Sequence, residues 1–188
     1  MKIDEGAPVH HVVVMGVAGC GKSAIGRLIA QQLALPYVEG DDFHPPGNID
    51  KMRQGIALGD DDRAGWLDKL AAELARHPAG AVLACSALKA AYRDRLRSAA
   101  SGLRFVYLEI TQSQSLRRVS QRPGHFYPPG LVASQFATLQ DPSGEASVLT
   151  LAADAAPEPL ALQAVAWLKA DWRLGRSGTA ASSIDVET

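Results

Sequence analysis

The sequence predicts an α/β fold in which a central parallel sheet of five strands lies between two layers of helices. Short apolar runs rich in β-branched residues alternate with segments of helical periodicity, which is typical of βαβ units and a parallel sheet. The first run also leads directly into a glycine-rich turn and a helix. The length of 188 residues suits a single domain, which we expect to cover residues 1–174.

The elements follow one another in a regular order. The predicted strands are 11–15, 36–39, 81–85, 104–109 and 147–151. The predicted helices are 24–33, Asp61 or Asp62 (as the cap) to Leu74, about Ala87 to Leu96, 113–121, 131–139 and 159–168. Within the first helix, Ile25, Leu28 and Ile29 share one face, as expected of a helix packed on a sheet.

Three segments interrupt this alternation. Residues 42–60 are mixed in composition, and residues 122–130 place two Pro-Gly pairs around aromatic residues. Because long loops at the carboxyl ends of strands commonly carry function, we interpret 42–60 as a substrate-holding insertion and 122–130 as a mobile lid. The stretch 175–188 is rich in Gly, Ser, Thr and Ala, and we expect a disordered tail there.

The glycine-rich turn is the most specific motif in the chain. It reads Gly16-Val17-Ala18-Gly19-Cys20-Gly21-Lys22-Ser23 and matches G-x-x-x-x-G-K-[ST]. A strand before it and a helix after it predict a cradle of backbone N–H groups at a helix N-terminus, which suits phosphate groups. In this pattern Lys22 reaches the β- and γ-phosphates and the Ser23 hydroxyl ligates Mg²⁺. The turn, called the phosphate loop below, therefore predicts binding of a nucleoside triphosphate.

Composition excludes several classes of function. The formal net charge of -1 gives no general attraction to nucleic acid or to anionic membranes. Without a long apolar stretch or signal-peptide features, the chain is expected to be cytoplasmic. Two cysteines, Cys20 and Cys85, are too few for a disulfide framework. Cys20 is either a small residue tolerated in the loop or a thiol whose pKa is lowered by the helix N-terminus and Lys22.

Polar residues after the second predicted strand are candidates for binding the phosphate acceptor. Asp41 should emerge at the same sheet edge as the phosphate loop, where a carboxylate can accept or orient the proton of an attacking hydroxyl. Asp42 competes for this role, and an aspartate here could instead stabilise a turn. His44 is either part of a simple turn or a hydrogen-bond partner of a hydroxylated substrate.

Further candidates follow the predicted insertion and the third strand. Arg63 closes an acidic run and can bind a carboxylate bidentately. Ser86 stands where many nucleoside-triphosphate hydrolases have an acid, and it either orients a substrate hydroxyl or metal-bound water or caps the next helix. Lys89 and Arg93 are four residues apart on one helix face, where they could form an anion site.

Three arginines lie before or at the start of the predicted lid, namely Arg117, Arg118 and Arg122. A lid arginine can neutralise the charge that grows on a phosphoryl group in transfer, whereas at least one of the three is expected to be a solvated surface residue. We select Arg122 for the catalytic role. His125 lies within the lid, but no second ligand stands at a metal-binding spacing, so no structural metal is predicted.

Five segments carry further motifs in a fixed order: His11–Ser23, Gly40–Met52, Gly55–Leu67, Cys85–Arg97 and Gly124–Pro142. Together they resemble the gluconate kinases, a family of small-molecule P-loop kinases. The phosphate loop alone is widespread, whereas the combination of HP, KM, DDDR..WL, CSALK..YR and GHF…SQ…LQ.P is far more specific. One departure is Pro128-Pro129-Gly130 after the lid's aromatic pair, which would stiffen the lid.

The resemblance implies ATP-dependent phosphorylation of D-gluconate on its 6-hydroxyl, with Mg²⁺. It also implies an adenylate-kinase-like core, a closing lid and a homodimer. The family's substrate-side roles would fall on Asp41, His44, Arg63, Lys89, Arg93 and His125. The rival interpretations are a kinase of another small alcohol, such as shikimate or a nucleoside monophosphate, a regulatory nucleotide switch, and an inactive binding module.

Overall fold

A five-stranded parallel sheet forms the centre of the computed structural model, which describes residues 10–121 and 128–177, with side chains up to residue 170. The strands are β1 (Val12–Met15), β2 (Tyr37–Glu39), β3 (Val82–Ala84), β4 (Arg104–Glu109) and β5 (Val148–Ala152). They lie in the order β2-β3-β1-β4-β5, and each neighbouring pair is parallel. The predicted fold class is confirmed.

The described part of the chain contains seven α-helices, six of them between strands and α7 after β5. They are α1 (Lys22–Leu33), α2 (Pro46–Arg53), α3 (Asp60–Ala75), α4 (Ala90–Ala99), α5 (Gln112–Ser120), α6 (Val132–Thr138) and α7 (Pro157–Ser177). Short 3₁₀ turns at Gly40–Phe43 and Pro129–Leu131 precede α2 and α6. None of the helices in these ranges is long and apolar enough to cross a membrane.

The sheet is covered on both faces, which explains the unbroken apolar sequence of β1. Val12 and Val14 pack into a core shared with α1 and α7. Val13 and Met15 pack into a second core, shared with α3 and α4. Because successive side chains of a strand point to opposite faces, a strand between two helical layers must be apolar at every position.

Several boundaries differ from the sequence-based expectation. Helix α3 begins at Asp60 behind Gly59, so the prediction that Asp61 or Asp62 caps it was wrong; the Asp62 carboxylate accepts instead from the Gly59 N–H at 3.0 Å. Helix α4 begins at Ala90 rather than near Ala87, because Ala87 has a left-handed φ of 44°. Part of the predicted insertion forms α2, which was not expected.

The last helix is longer than predicted and runs from Pro157 to Ser177 instead of 159–168. The remainder of the predicted tail, 178–188, and most of the predicted lid, 122–127, lie outside the described residues. The domain limits and the lid therefore stay predictions.

The carboxyl ends of β2, β3 and β1 lie side by side, since these strands are neighbours in the sheet. The loops that leave them begin at Gly40, Cys85 and Gly16, which places three separate stretches of sequence at one edge. Gly40 approaches β3 so closely that a Cβ on it would collide with the Ala84 carbonyl oxygen. This edge is where ligands bind in open α/β sheets.

Candidate active site

The phosphate loop has the backbone conformation that its glycines predict. Gly16, Gly19 and Gly21 have φ values of 138°, 76° and 105°, which residues other than glycine rarely adopt. At Gly16 a Cβ would also lie 2.8 Å from the Leu108 carbonyl oxygen. Helix α1 starts directly behind this turn at Lys22, so its N-terminal N–H groups and dipole face the loop. The local geometry is that of an anion cradle.

Lys22 and Ser23 occupy the first turn of α1 and line a cavity of about 470 Å³. The Lys22 ammonium donates to the Val17 carbonyl oxygen at 3.0 Å, which holds the charge across the loop. The Gly16 N–H donates to the Ser86 carbonyl oxygen at 3.4 Å, so the end of β3 lies beside the loop. Ser86 also lines the cavity, and the alternative that it caps α4 is excluded because Lys89 is the N-cap.

The same cavity brings together nine of the residues predicted from the sequence to bind phosphates, metal or substrate. These lining residues are Ala18, Gly19, Gly21, Lys22, Ser23, Asp41, His44, Arg63 and Ser86. Asp41 lies in the turn after β2 and reaches the cavity, whereas the side chain of Asp42 is exposed outside the lining set. The geometry therefore favours Asp41 over Asp42 as the carboxylate that faces the phosphate loop.

His44 is held by neighbours that define its orientation. Its ring stacks on Trp66 at a centroid distance of 4.3 Å and an interplanar angle of 11°. Trp66 in turn donates from Nε1 to the Gly40 carbonyl oxygen at 2.8 Å. Asn48 Nδ2 donates to the Asp62 carbonyl oxygen at 2.7 Å and lies 3.4 Å from His44 Nδ1. Because an amide NH₂ can only donate, Nδ1 is the acceptor and Nε2 carries the proton.

The electrostatic surroundings keep this histidine neutral. Burial and the nearby Arg63 guanidinium lower the pKa of His44 to about 4. A neutral imidazole with a proton on Nε2 can donate a hydrogen bond to a hydroxyl oxygen. Arg63 itself is buried and lines the cavity, and its Nε donates to the Leu58 carbonyl oxygen at a long 3.4 Å. A buried guanidinium at a cavity wall suits a carboxylate or phosphate ligand.

Lys89 and Arg93 are not among the residues that line the cavity. The Lys89 ammonium binds the Asp60 carboxylate at 2.7 and 2.8 Å, and Tyr92 donates to the same carboxylate. Arg93 is 0% exposed and pairs with Glu145. The two residues of the predicted anion site thus bind two different carboxylates of the protein itself, the exposed Asp60 and the partly buried Glu145. A role of either residue in substrate binding stays a prediction.

Arg93 also shapes the loop that carries Ser86. Its Nη1 donates to the carbonyl oxygens of Ala87 and Leu88 at 2.9 and 3.1 Å. Ala87 is the residue with left-handed φ, and a buried cation that binds this loop's carbonyls stabilises the irregular path after β3. Arg93 therefore contributes to the cavity indirectly, through the position of the neighbouring Ser86.

Two residues near the phosphate loop, Ser115 and Gln135, were not assigned a role from the sequence, and a third, Arg118, was one of the three arginines considered for the lid. Ser115, Arg118 and Gln135 come from α5 and α6 and all contact the loop backbone. Gln135 belongs to the SQ motif, whereas Ser115 had no signal, because its partner is 97 positions away in the chain. Arg122 and His125, predicted for the lid, lie outside the described residues.

The two cysteines are buried and unreactive in character. Burial raises the pKa of the Cys20 thiol, despite the opposing charge of Lys22, and raises that of Cys85 to about 12. The possibility that the helix N-terminus activates Cys20 is therefore not supported by its environment. Cys20 packs under the loop as a small apolar residue.

A parallel α/β sheet and a phosphate loop that shares one cavity with Asp41, His44 and Arg63 are typical of a small-molecule P-loop kinase. The shikimate kinase family model matches residues 18–129. A shikimate kinase structure from Acinetobacter baumannii, 18% identical, aligns with a TM-score of 0.61 over 88% of this chain and 96% of that one. At that identity the likeness shows the fold.

Two closer relatives identify the family. A probable gluconokinase of Schizosaccharomyces pombe is 41% identical over 152 residues, which cover 76% of this chain and 79% of the relative. A gluconokinase crystal structure from Sinorhizobium meliloti 1021 is 40% identical and aligns with a TM-score of 0.84 over 92% of this chain and 98% of that one. The chain belongs to the gluconokinase family, and the resemblance found in its motifs is confirmed.

Proposed function

We propose that this protein transfers the γ-phosphoryl group of ATP to the 6-hydroxyl of D-gluconate and releases 6-phosphogluconate and ADP. The observation that supports this most is the single cavity that joins the phosphate loop to Asp41, His44 and Arg63. The names of the relatives supply the substrate, and the site supplies groups that match its hydroxyls and its carboxylate.

The phosphate loop binds the triphosphate. Its backbone N–H groups and the N-terminus of α1 receive phosphate oxygens, and Lys22 exchanges the Val17 carbonyl for the β- and γ-phosphates. The Ser23 hydroxyl, beside Lys22 in the first turn of α1, would hold Mg²⁺. When bound, Mg²⁺ would supply positive charge that offsets the negative charge of the phosphates.

The opposite wall positions gluconate. Arg63 binds its carboxylate, and the neutral His44 donates from Nε2 to a hydroxyl of the chain. Asp41 accepts the proton of the 6-hydroxyl. The hydroxyl oxygen attacks the γ-phosphorus as the bond between this phosphorus and the ADP oxygen breaks. Ser86 orients a substrate hydroxyl at the end of β3. Most of this work is positioning and charge stabilisation, which is what phosphoryl transfer requires.

The lid completes the proposal. Arg122 would neutralise charge on the phosphoryl group, His125 would contact gluconate, and closure would exclude water, which otherwise competes as the acceptor. Lys89 and Arg93 are retained as candidate substrate ligands from the family resemblance. The homodimer and the cytoplasmic location are likewise expectations that follow from the sequence.

Shikimate phosphorylation is the second candidate, because the shikimate kinase model matches much of the chain. Shikimate also carries a carboxylate and hydroxyls, so the test is a substrate panel. ADP release is measured with gluconate, shikimate and a nucleoside monophosphate at saturating ATP, and the product is located by phosphorus NMR. Saturable turnover with gluconate and a phosphate ester on C6 supports the proposal. Turnover with shikimate, or none with gluconate, contradicts it.

A further inference from the structure

Ala18, the third residue of the phosphate loop, is held by the two helices that flank the predicted lid. From α5, the Ser115 hydroxyl donates to the Ala18 carbonyl oxygen at 2.7 Å. From α6, Gln135 Oε1 accepts from the Ala18 N–H at 2.6 Å. Ser115 is fully buried and Gln135 is 8% exposed, so both contacts are shielded from solvent. The loop is thereby fixed at one residue by elements on either side of the lid.

The contact with Ala18 determines how the Gln135 amide is oriented. A backbone N–H can only donate, so the side-chain atom that meets it must be the carbonyl Oε1. The NH₂ group then points away from the Ala18 N–H. Gln135 lines the cavity together with its neighbour Ser134, and among the described residues its NH₂ group has no hydrogen-bond acceptor.

We propose that Gln135 is a phosphate-binding residue: its amide oxygen holds the Ala18 N–H while its amide NH₂ donates to a phosphate oxygen of the bound nucleotide. The inference rests on the proposed function only in that the cavity receives a nucleotide. A hydrogen bond from a shielded donor to a charged oxygen is stronger than one between neutral groups. A single amide thus accepts from the loop on one side and donates to the anion on the other.

The identity of the residue supports a double role. If α6 needed only to hold Ala18, a glutamate would accept from its N–H more strongly, because the acceptor would be charged. A carboxylate at this place would, however, repel the phosphates and offer them no donor. Glutamine is the side chain of this length that can serve the loop and the nucleotide together.

The test separates the two halves of the amide. Gln135→Glu keeps the acceptor for Ala18 and removes the donors, whereas Gln135→Met removes both without adding charge. Ser134→Asp is the matched control, because it adds a negative charge to the same cavity wall and leaves the amide intact. For each variant, affinities for ATP and ADP are measured by calorimetry at constant Mg²⁺, and the melting temperature is measured without nucleotide.

We expect Gln135→Glu to keep the melting temperature of the wild type and to bind ATP about tenfold more weakly than Ser134→Asp does. Gln135→Met should lose both melting temperature and affinity. A loss larger for ATP than for ADP assigns the contact to the terminal phosphate, and an equal loss assigns it to the inner phosphates; either supports the proposal.

Two results overturn the inference: a Gln135→Glu protein that binds ATP no worse than Ser134→Asp, or a folded Gln135→Met protein with wild-type affinity for ATP. Failure of the proposed function looks different. In that case the wild type binds ATP with the expected variant pattern but does not phosphorylate gluconate.

Discussion

The two walls of the cavity are built by different means. The phosphate wall is largely the backbone of one continuous segment, Gly16–Ser23, in which three glycines have positive φ. The acceptor wall is made of side chains, with Asp41 and His44 following β2, Arg63 on α3 and Ser86 following β3. A backbone-built wall recognises what all nucleotides share, whereas a side-chain-built wall can change its substrate one residue at a time.

The walls also differ in how they are supported. Ala18 in the phosphate wall is held by hydrogen bonds from α5 and α6. His44 in the acceptor wall depends on a stack with Trp66, which is itself tied to the Gly40 carbonyl. The position of His44 thus depends on packing between α3 and the turn after β2, and we expect variants of the two walls to produce different kinetic signatures.

Removal of the phosphate wall's cation should have the largest effect. Lys22→Ala is expected to lower kcat by about 10²-fold or more, because it removes charge stabilisation in the transition state. Steady-state kinetics of ADP release provide the measurement, with Lys69→Ala, an exposed lysine of α3, as the control. Comparable rates in the two variants would show that Lys22 does not contact the phosphates.

Removal of the Asp41 carboxylate from the acceptor wall should also lower kcat, because the proton of the attacking hydroxyl then has no acceptor. Asp41→Asn is expected to lower kcat by about 10²-fold with little change in the KM for ATP, because an amide cannot accept the hydroxyl proton. Asp42→Asn, the exposed neighbour, should retain wild-type rates. If Asp42→Asn is the impaired variant instead, the assignment of the two aspartates is reversed.

Variants of the pair formed by Arg93 and Glu145 test whether Arg93 stabilises the fold or belongs to the acceptor wall and binds substrate. Glu145→Gln leaves the fully buried guanidinium without its carboxylate and should lower the free energy of unfolding by about 2 kcal/mol, discounted for the partial exposure of Glu145. Asp68→Asn, which breaks an exposed pair with Arg95, should cost less than about 1 kcal/mol. Urea unfolding measures both changes. A raised KM for gluconate with unchanged stability would instead place Arg93 in the substrate site.

His44 in the acceptor wall should add a pH dependence to the free energy of unfolding. Its pKa is about 4 in the folded protein and near 6.5 in the unfolded chain, so the unfolded state binds more protons between these values. The contribution of His44 to the free energy of unfolding is therefore fully present above pH 6.5 and declines as the pH falls toward 4.

Unfolding free energies of the wild type and His44→Gln should differ less at pH 4 than at pH 7.5, by at most about 3 kcal/mol. The comparison with the variant is needed because burial also lowers the pKa of His11. A difference that does not change with pH would mean that His44 is not held neutral by its surroundings.

The phosphate wall could be predicted from the sequence almost completely, because its determinants are adjacent residues. The glycine positions of Gly16–Ser23 specify the backbone directly, and the apolar runs at β1 and β4 are unambiguous for a sheet covered on both faces. Helix α2 was missed because proline and glycine at its start resemble a loop, although Pro46 suits the first turn of a helix.

The support of the site could not be predicted in the same way. Contacts such as Gln135 to Ala18 and Arg93 to Glu145 join residues 117 and 52 positions apart. Helical spacing predicted Lys89 and Arg93 on one helix face, but Lys89 is the N-cap of α4 and the two side chains bind different carboxylates. The spacing carries no information about those carboxylates. Sequence motifs identify the polar residues that line this cavity. Tertiary contacts, which the motifs do not encode, determine which polar groups are already bound to other residues of the protein.

The central claim is that Asp41 and the phosphate loop act on the two reactants from opposite walls of one cavity. A crystal structure with gluconate and a non-hydrolysable ATP analogue tests it most directly. We predict the 6-hydroxyl oxygen at about 3 Å from an Asp41 carboxylate oxygen and directed at the terminal phosphorus, with the gluconate carboxylate at Arg63. Gluconate bound with its carboxylate toward the phosphate loop, or outside this cavity, would contradict the account.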